Sequence, residues 1–275
     1  MDRASGEPES TPRVAIVTGA ARGIGAATAL ALADDGWTVV ASDVCRDDPR
    51  LPYPLGTGRE LDEVASSGSG SGGPGAITSK VVDASDLTAM QALVDRTVAE
   101  HGGLDAFVAA AGVIAGGVPQ WELDPDAEQA VLDVCLGAVL TASRVAIPAL
   151  LARPQPRHGR FLAVSSTAAL RGLPMLAAYC AAKAGVAGLI RALAVELRGT
   201  GVTANAVCPG STRTRILQES ARLYELEDEE AFAAQQPLER LIEPDEVASL
   251  LTWLAGPGAD AMTGAIIPMD GGLSI

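Results

Sequence analysis

The chain has 275 residues, 48% apolar and only 3% aromatic, enough to bury a substantial core in one large α/β domain or two small ones. A formal charge of −14 argues against nucleic acid or an anionic membrane as the main partner, because both reward basic patches. Four cysteines without CxxC spacing, and only His101 and His158 beside them, argue against a zinc site. They read instead as reduced, mostly buried thiols of a cytoplasmic protein.

Residues 1–12 are polar, with no positive segment leading into an apolar run, and are expected as a disordered tail rather than a signal peptide. The short β-branched run Val14–Val17 predicts a first strand, followed by the glycine-rich Thr18–Gly25 and a helical pattern through Leu32. Thr38–Ser42 predicts a second strand ending at Asp43. Residues 45–75 then read as an insertion: Pro49, Pro52, Pro54 and a Gly/Ser run imply loop, with a short helix over Arg59–Ala65.

The β/α rhythm resumes beyond it. Strands are predicted at Ile77–Val82, Leu104–Ala110, Arg160–Ser165, Val202–Val207 and Ala265–Pro268. Helices are predicted at Leu87–Glu100, Pro125–Leu151, Met175–Leu197 and Asp245–Leu254, with a polar, mobile-looking lid over residues 211–236. No apolar run reaches membrane-spanning length without charge, glycine or proline. Alternating strands and helices imply right-handed crossovers and a parallel sheet covered on both faces. The expected fold is one doubly wound, seven-stranded Rossmann domain over residues 13–275.

The glycine triplet stands after a strand and opens a helix, the context a dinucleotide needs. Gly19 permits the tight turn, Gly23 lets backbone approach a pyrophosphate, and Gly25 allows the helix to pack on the strand. The spacing is G-x-x-x-G-x-G rather than G-x-G-x-x-G. Asp43 lies at the end of the second strand, where a carboxylate accepts bonds from ribose hydroxyls and repels a 2′-phosphate. NAD is therefore expected over NADP, although Arg22 in the turn could meet a phosphate and Asp43 could be a loop cap. Asp83, at the end of the third strand, is a candidate for the adenine side.

Tyr179 and Lys183 are four apart in a helical pattern and share one face. A nearby ammonium favours phenolate, so a tyrosine of ordinary pKa near 10 can exchange a proton with an alcohol as hydride moves. Ser166 follows the strand Arg160–Ser165 at the carboxyl edge of the sheet, where its hydroxyl can hold the substrate oxygen.

Val17-Thr-Gly-x-x-x-Gly-Ile-Gly25, Ser166, Tyr179-x-x-x-Lys183 and Pro209-Gly210 together resemble the short-chain dehydrogenase/reductase superfamily over residues 13–273. The resemblance implies Tyr179 as acid/base, Ser166 as substrate-oxygen stabiliser, and Lys183 both lowering the tyrosine pKa and binding the nicotinamide ribose. It implies cofactor contacts from Gly19, Arg22, Gly23, Ile24, Gly25, Ala110, Gly112, Pro209, Gly210, Thr212 and Thr214, and a tetramer or dimer, with a homotetramer expected. Two departures stand out. Ala109-Ala-Ala-Gly112 replaces the usual Asn-Asn-Ala-Gly, and Cys135 stands where many members carry an asparagine that holds a proton-relay water. Cys135 reads as a small core thiol, leaving the proton route beyond Lys183 open.

Asp43–Thr57, Glu60–Val64 and Ala109–Gly117 also resemble mycofactocin-coupled, carveol-type dehydrogenases. That resemblance implies a tightly held NAD reoxidised in place by an external redox carrier, with the insertion covering the cofactor. The leading expectation is an NAD-dependent secondary-alcohol/ketone oxidoreductase. Ile114, Leu173, Met175, Ile216 and Leu217 suggest an apolar alicyclic or terpenoid substrate. The alternatives are a conventional carbonyl or 3-oxoacyl reductase with exchangeable NAD(P)H, and an NAD-binding sensor without catalysis.

Overall fold

The computed structural model describes residues 13–70 and 75–275. The expected tail, residues 1–12, lies outside the described residues, as do residues 71–74 of the Gly/Ser run. Seven strands form one sheet: β1 Val14–Thr18, β2 Thr38–Asp43, β3 Ala76–Val81, β4 Ala106–Ala109, β5 Gly159–Val164, β6 Val202–Pro209 and β7 Ile266–Met269. Their order is β3-β2-β1-β4-β5-β6-β7, and every pairing is parallel. The order reverses between β1 and β4, so the chain leaves the carboxyl ends of these strands in opposite directions and opens a crevice there.

The strands read as near-continuous apolar runs because both faces are covered. One face carries α1 Gly23–Asp34, α2 Gly58–Gly70 and α8 Pro244–Ala255, which bury Leu32, Leu61 and Leu254, α1 and α2 over β1 to β3 and α8 over β5 and β6. The other carries α3 Leu87–His101, α5 Ala138–Leu151 and α6 Ala177–Glu196, which bury Val94, Val145 and Ile190 around Phe107 and Phe161. The continuous helical stretch Pro125–Leu151, which includes α5, and α6 are each long and apolar enough to span a membrane. Here the sheet takes much of those apolar surfaces.

Three segments depart from expectation. The insertion helix α2 runs through Gly70, well past Ala65. Thr57 and Glu60 form a reciprocal cap at its start, Thr57 N–H to Glu60 at 2.8 Å and Glu60 N–H to Thr57 at 3.2 Å. Ser66 and Ser67 hydroxyls bond back to the carbonyls of Asp62 and Glu63. A Cβ on Gly68 would lie 2.2 Å from Ile77, so the small residues let the helix lie against β3.

The long helix expected over Pro125–Leu151 is α4 Pro125–Leu132 and α5 joined by a π-turn, Asp133–Gly137, with Cys135 buried at its centre. Such turns widen a helix by one residue and recur at functional sites. The lid contains helix α7 Arg215–Leu223, which buries Leu217, Ser220 and Ala221, and a 3₁₀ turn Glu229–Gln235 that buries Phe232. Its polar composition reflects the solvent face of a strongly amphipathic element.

Candidate active site

The glycine-rich turn runs from β1 into α1 with Gly19 (φ +67°) and Gly23 (φ +59°) in the left-handed region, which favours glycine. A Cβ on Gly25 would meet the Gly19 carbonyl oxygen at 2.1 Å, and one on Gly19 would meet Ala111 backbone at 2.7 Å. The turn is therefore pressed between its own helix and the segment after β4. Ala20 N–H bonds Ser42 O at 3.0 Å, and Ala21 N–H bonds Asp43 Oδ2 at 3.1 Å. The other Asp43 oxygen accepts from Cys45 N–H at 3.2 Å. Both carboxylate oxygens keep lone pairs for a further donor. Ile24 packs half-buried on the core, and the Thr214 methyl lies 3.3 Å from where a Gly23 Cβ would sit.

Arg22 donates to the carbonyl of Pro54 at 2.9 Å. The insertion thus claims the one basic side chain that sequence reasoning set against NAD. Asp83 accepts from the Ser85 N–H at 2.9 Å and hydroxyl at 2.6 Å, and pairs with Arg46 at 3.2 Å. It lines the crevice as the anchor of its own loop.

At the carboxyl edge, Ser166 follows β5 and its hydroxyl accepts from Ala168 N–H at 3.1 Å. It shares the cleft with the phenol of Tyr179, which rises from α6. Lys183, one turn further, is buried; its Nζ donates to Val164 O at 2.9 Å and lies 5.7 Å from the Tyr179 ring centre. Ser165 pins α6 here by donating to the Lys183 carbonyl at 3.0 Å. Burial pushes the Tyr179 phenol above its ordinary value, with the neighbouring Ser166 hydroxyl opposing that rise. The Lys183 ammonium is held against the Val164 carbonyl at the same edge of the sheet.

Ala110 N–H bonds the Thr18 hydroxyl at 3.3 Å, and Gly112 faces Lys183, whose Nζ would lie 3.8 Å from an added Cβ. Pro209 O accepts from Thr167 at 2.8 Å, and Gly210 N–H bonds Met269 O at 3.1 Å. Thr212 donates to Gly210 O at 3.1 Å, and Thr214 caps α7. The structure gathers all of these predicted residues along one cleft of about 950 Å³, whose far end is walled by Ile114, Leu173, Ile216, Leu217, Tyr224 and Phe232. Met175, expected in that wall, is instead at φ +57° with its side chain exposed and its carbonyl bonded to Gly117 N–H at 3.1 Å.

Sequence reasoning missed the reach of the insertion. Leu51 and Tyr53 are buried in the same apolar cluster as Cys135 and Tyr179. Arg50 bridges Asp48 and Asp133, each at 2.7 Å. The available signal was Tyr53 itself, an aromatic between two prolines in a chain with three tyrosines.

A glycine cradle, an acid at the end of β2 and a Ser-Tyr-Lys set at the switch point define a dinucleotide-binding protein of the Rossmann class. Residues 19–274 match a family model described as Enoyl-(Acyl carrier protein) reductase. The cis-4-hydroxycyclohexanecarboxylate dehydrogenase of Sinomonas cyclohexanicum is 36% identical over 260 residues, 94% of this chain and 96% of that protein. The (−)-trans-carveol dehydrogenase of Rhodococcus erythropolis is 34% identical over 274 residues, 96% of this chain and 98% of that protein. Carveol dehydrogenase from Mycobacterium avium, solved in complex with NAD, superposes with a TM-score of 0.89 at 30% identity, covering 96% and 98% of the two chains. The chain belongs to the short-chain dehydrogenase/reductase family.

Proposed function

We propose that the protein is an NAD-dependent oxidoreductase that interconverts a secondary alcohol and a ketone, with Tyr179 as acid/base. The observation that carries this reading is the convergence of Ser166, the buried Tyr179 and, one helical turn on, the buried Lys183 in the same cleft as Asp43. NAD, when bound, supplies the hydride acceptor. Gly19, Arg22, Gly23, Ile24, Gly25, Asp43, Asp83, Ala110, Gly112, Pro209, Gly210, Thr212 and Thr214 would hold it. Asp43 would take the adenosine ribose, and the turn amides the pyrophosphate. Ser166 holds the substrate oxygen, Tyr179 accepts its proton, and Lys183 together with the positive charge of oxidised nicotinamide counters the burial that disfavours phenolate. The test is Tyr179→Phe: turnover should collapse while NAD binding persists, and unchanged turnover would overturn the assignment.

The insertion supports a finer reading, in which NAD stays bound between turnovers and is reoxidised by an external, mycofactocin-like redox carrier. Residues 44–57 reach Arg22 through Pro54, Asp133 through Arg50 and Ile114 through Tyr53. A Cβ on Gly56 would press on Ala21 at 2.8 Å and on Asp43 Oδ1 at 3.0 Å. The strap thus lies over the adenosine side at contact distance. Purified protein should carry NAD through dialysis and turn over with an artificial electron acceptor and no added cofactor. Freely lost NAD would instead favour a conventional exchanging reductase.

The apolar far end of the cleft suits an alicyclic or terpenoid alcohol. The family's usual homotetramer would cover Leu140 and Trp253, both exposed, and four free thiols suit the cytoplasm. Light scattering reads the assembly directly.

A further inference from the structure

The insertion touches more than the cofactor side. Two consecutive residues after β4 each have their backbone N–H and C=O held by a single side chain. Val113 N–H donates to Cys135 Sγ at 3.4 Å, and the same thiol donates to Val113 O at 3.1 Å. Ile114 N–H donates to Tyr53 Oη at 2.8 Å, and that phenol donates back to Ile114 O at 3.0 Å. Segment 112–115 leaves the sheet at β4, so it has no ladder partner, and buried amides without partners are costly. The thiol bonds are weak; the phenol bonds are short and buried.

We propose that Tyr53 is a positioning residue for hydride transfer, acting through Ile114 on the wall that sets Tyr179. The inference rests on the oxidoreductase reading above. Tyr53, Val113, Ile114, Cys135 and Tyr179 belong to one buried cluster, so a shift of the Ile114 peptide is felt at the catalytic phenol. Gly112, two residues earlier, faces Lys183, so the gripped segment lies between Lys183 and the cluster that holds Tyr179. Burial also pushes the Tyr53 phenol up, which keeps it a neutral donor across the working pH range. The strap therefore completes the active site, in a chain whose helix offers a thiol at the position in contact with Val113.

Tyr53→Phe keeps the ring and removes only the grip. With holoenzyme, and carveol or another alicyclic alcohol that turns over as probe, the single-turnover rate of nicotinamide reduction should fall about tenfold or more while KM stays within about twofold. The deuterium isotope effect on kcat should rise as hydride transfer becomes limiting. Hydrogen exchange by mass spectrometry should show lost protection confined to the peptide spanning 112–115, with Tm lowered by several degrees in a still cooperative melt and NAD still bound after dialysis. A rate within about twofold of the parent, or unaltered protection at Ile114, overturns the proposal. Tyr179→Phe run alongside separates the two failures. If it too leaves the rate intact, the catalytic reading falls; if only Tyr53→Phe does, the positioning role falls alone.

Discussion

Arg50 and Asp133, 83 residues apart in sequence, are joined at 2.7 Å, so the strap after β2 is tied directly to the π-turn that carries Cys135. Both side chains are about one-third exposed, which limits the pair to about 0–1 kcal/mol of stability. Its value lies in where it pins the strap. Arg50→Ala should lower Tm only slightly and yet speed NAD release several-fold, read by loss of cofactor on timed dialysis.

The same pair fixes a pH window. Arg50 holds the Asp133 carboxyl below its ordinary value, and Asp48 likewise. A depressed carboxylate contributes above its unfolded pKa, near 3.9, and the contribution disappears as pH falls through the folded value. NAD retention should therefore be flat from about pH 5 to 8 and fail in acid below about 4. Retention that already declines between pH 7 and 5 would point to another latch.

Alkaline behaviour follows with the opposite sign. Burial raises the phenols of Tyr53 and Tyr179. A group protonated more tightly in the fold contributes fully below its unfolded pKa, near 10, and the contribution is lost as pH rises from there towards the folded value. Urea midpoints of cofactor-free protein should fall steeply above about pH 10, and Tyr53→Phe should make that fall shallower.

Gly56 and Gly58 provide a matched pair. Gly56→Val drives a side chain into Ala21 and Asp43, whereas a Cβ on Gly58 meets nothing within 4 Å. The first should leave a folded protein that loses NAD readily. The second, as Gly58→Ala at the start of α2, should be neutral or stabilise by up to about 1 kcal/mol in thermal melts.

Asp43→Asn removes the charge that would bind ribose and weakens the acceptor for Ala21 and Cys45. Affinity of stripped protein for NAD, measured by calorimetry, should drop about tenfold or more. NADP should gain little, because Arg22 is engaged by Pro54.

The doubly wound fold was legible because short, largely apolar strands alternate with punctuation and helical patterns along the chain. The meeting of Ser166, Tyr179, Lys183 and the Gly19–Gly25 turn in one cleft was legible because each stands at a fixed place relative to a strand end or a helix face. What spacing could not reveal lies in contacts between distant segments. The Pro54 carbonyl on Arg22, the Tyr53 phenol on Ile114 and the Lys183 bond to Val164 depend on how loops fold back. The extension of α2 through Ser66–Gly70 was hidden because glycine and serine are poor helix formers in isolation, and only Ile77 beneath Gly68 explains their use. The Thr57/Glu60 cap was written in the sequence and would have placed the helix start.

The cleft walled at its far end by Leu173, Ile216 and Tyr224 has a kinetic consequence once the strap holds the dinucleotide. Alcohol and electron acceptor would then reach the nicotinamide through the same opening, one after the other, never together. Initial-rate plots at varied acceptor should be parallel, and each reactant at high concentration should inhibit by occupying the other's turn.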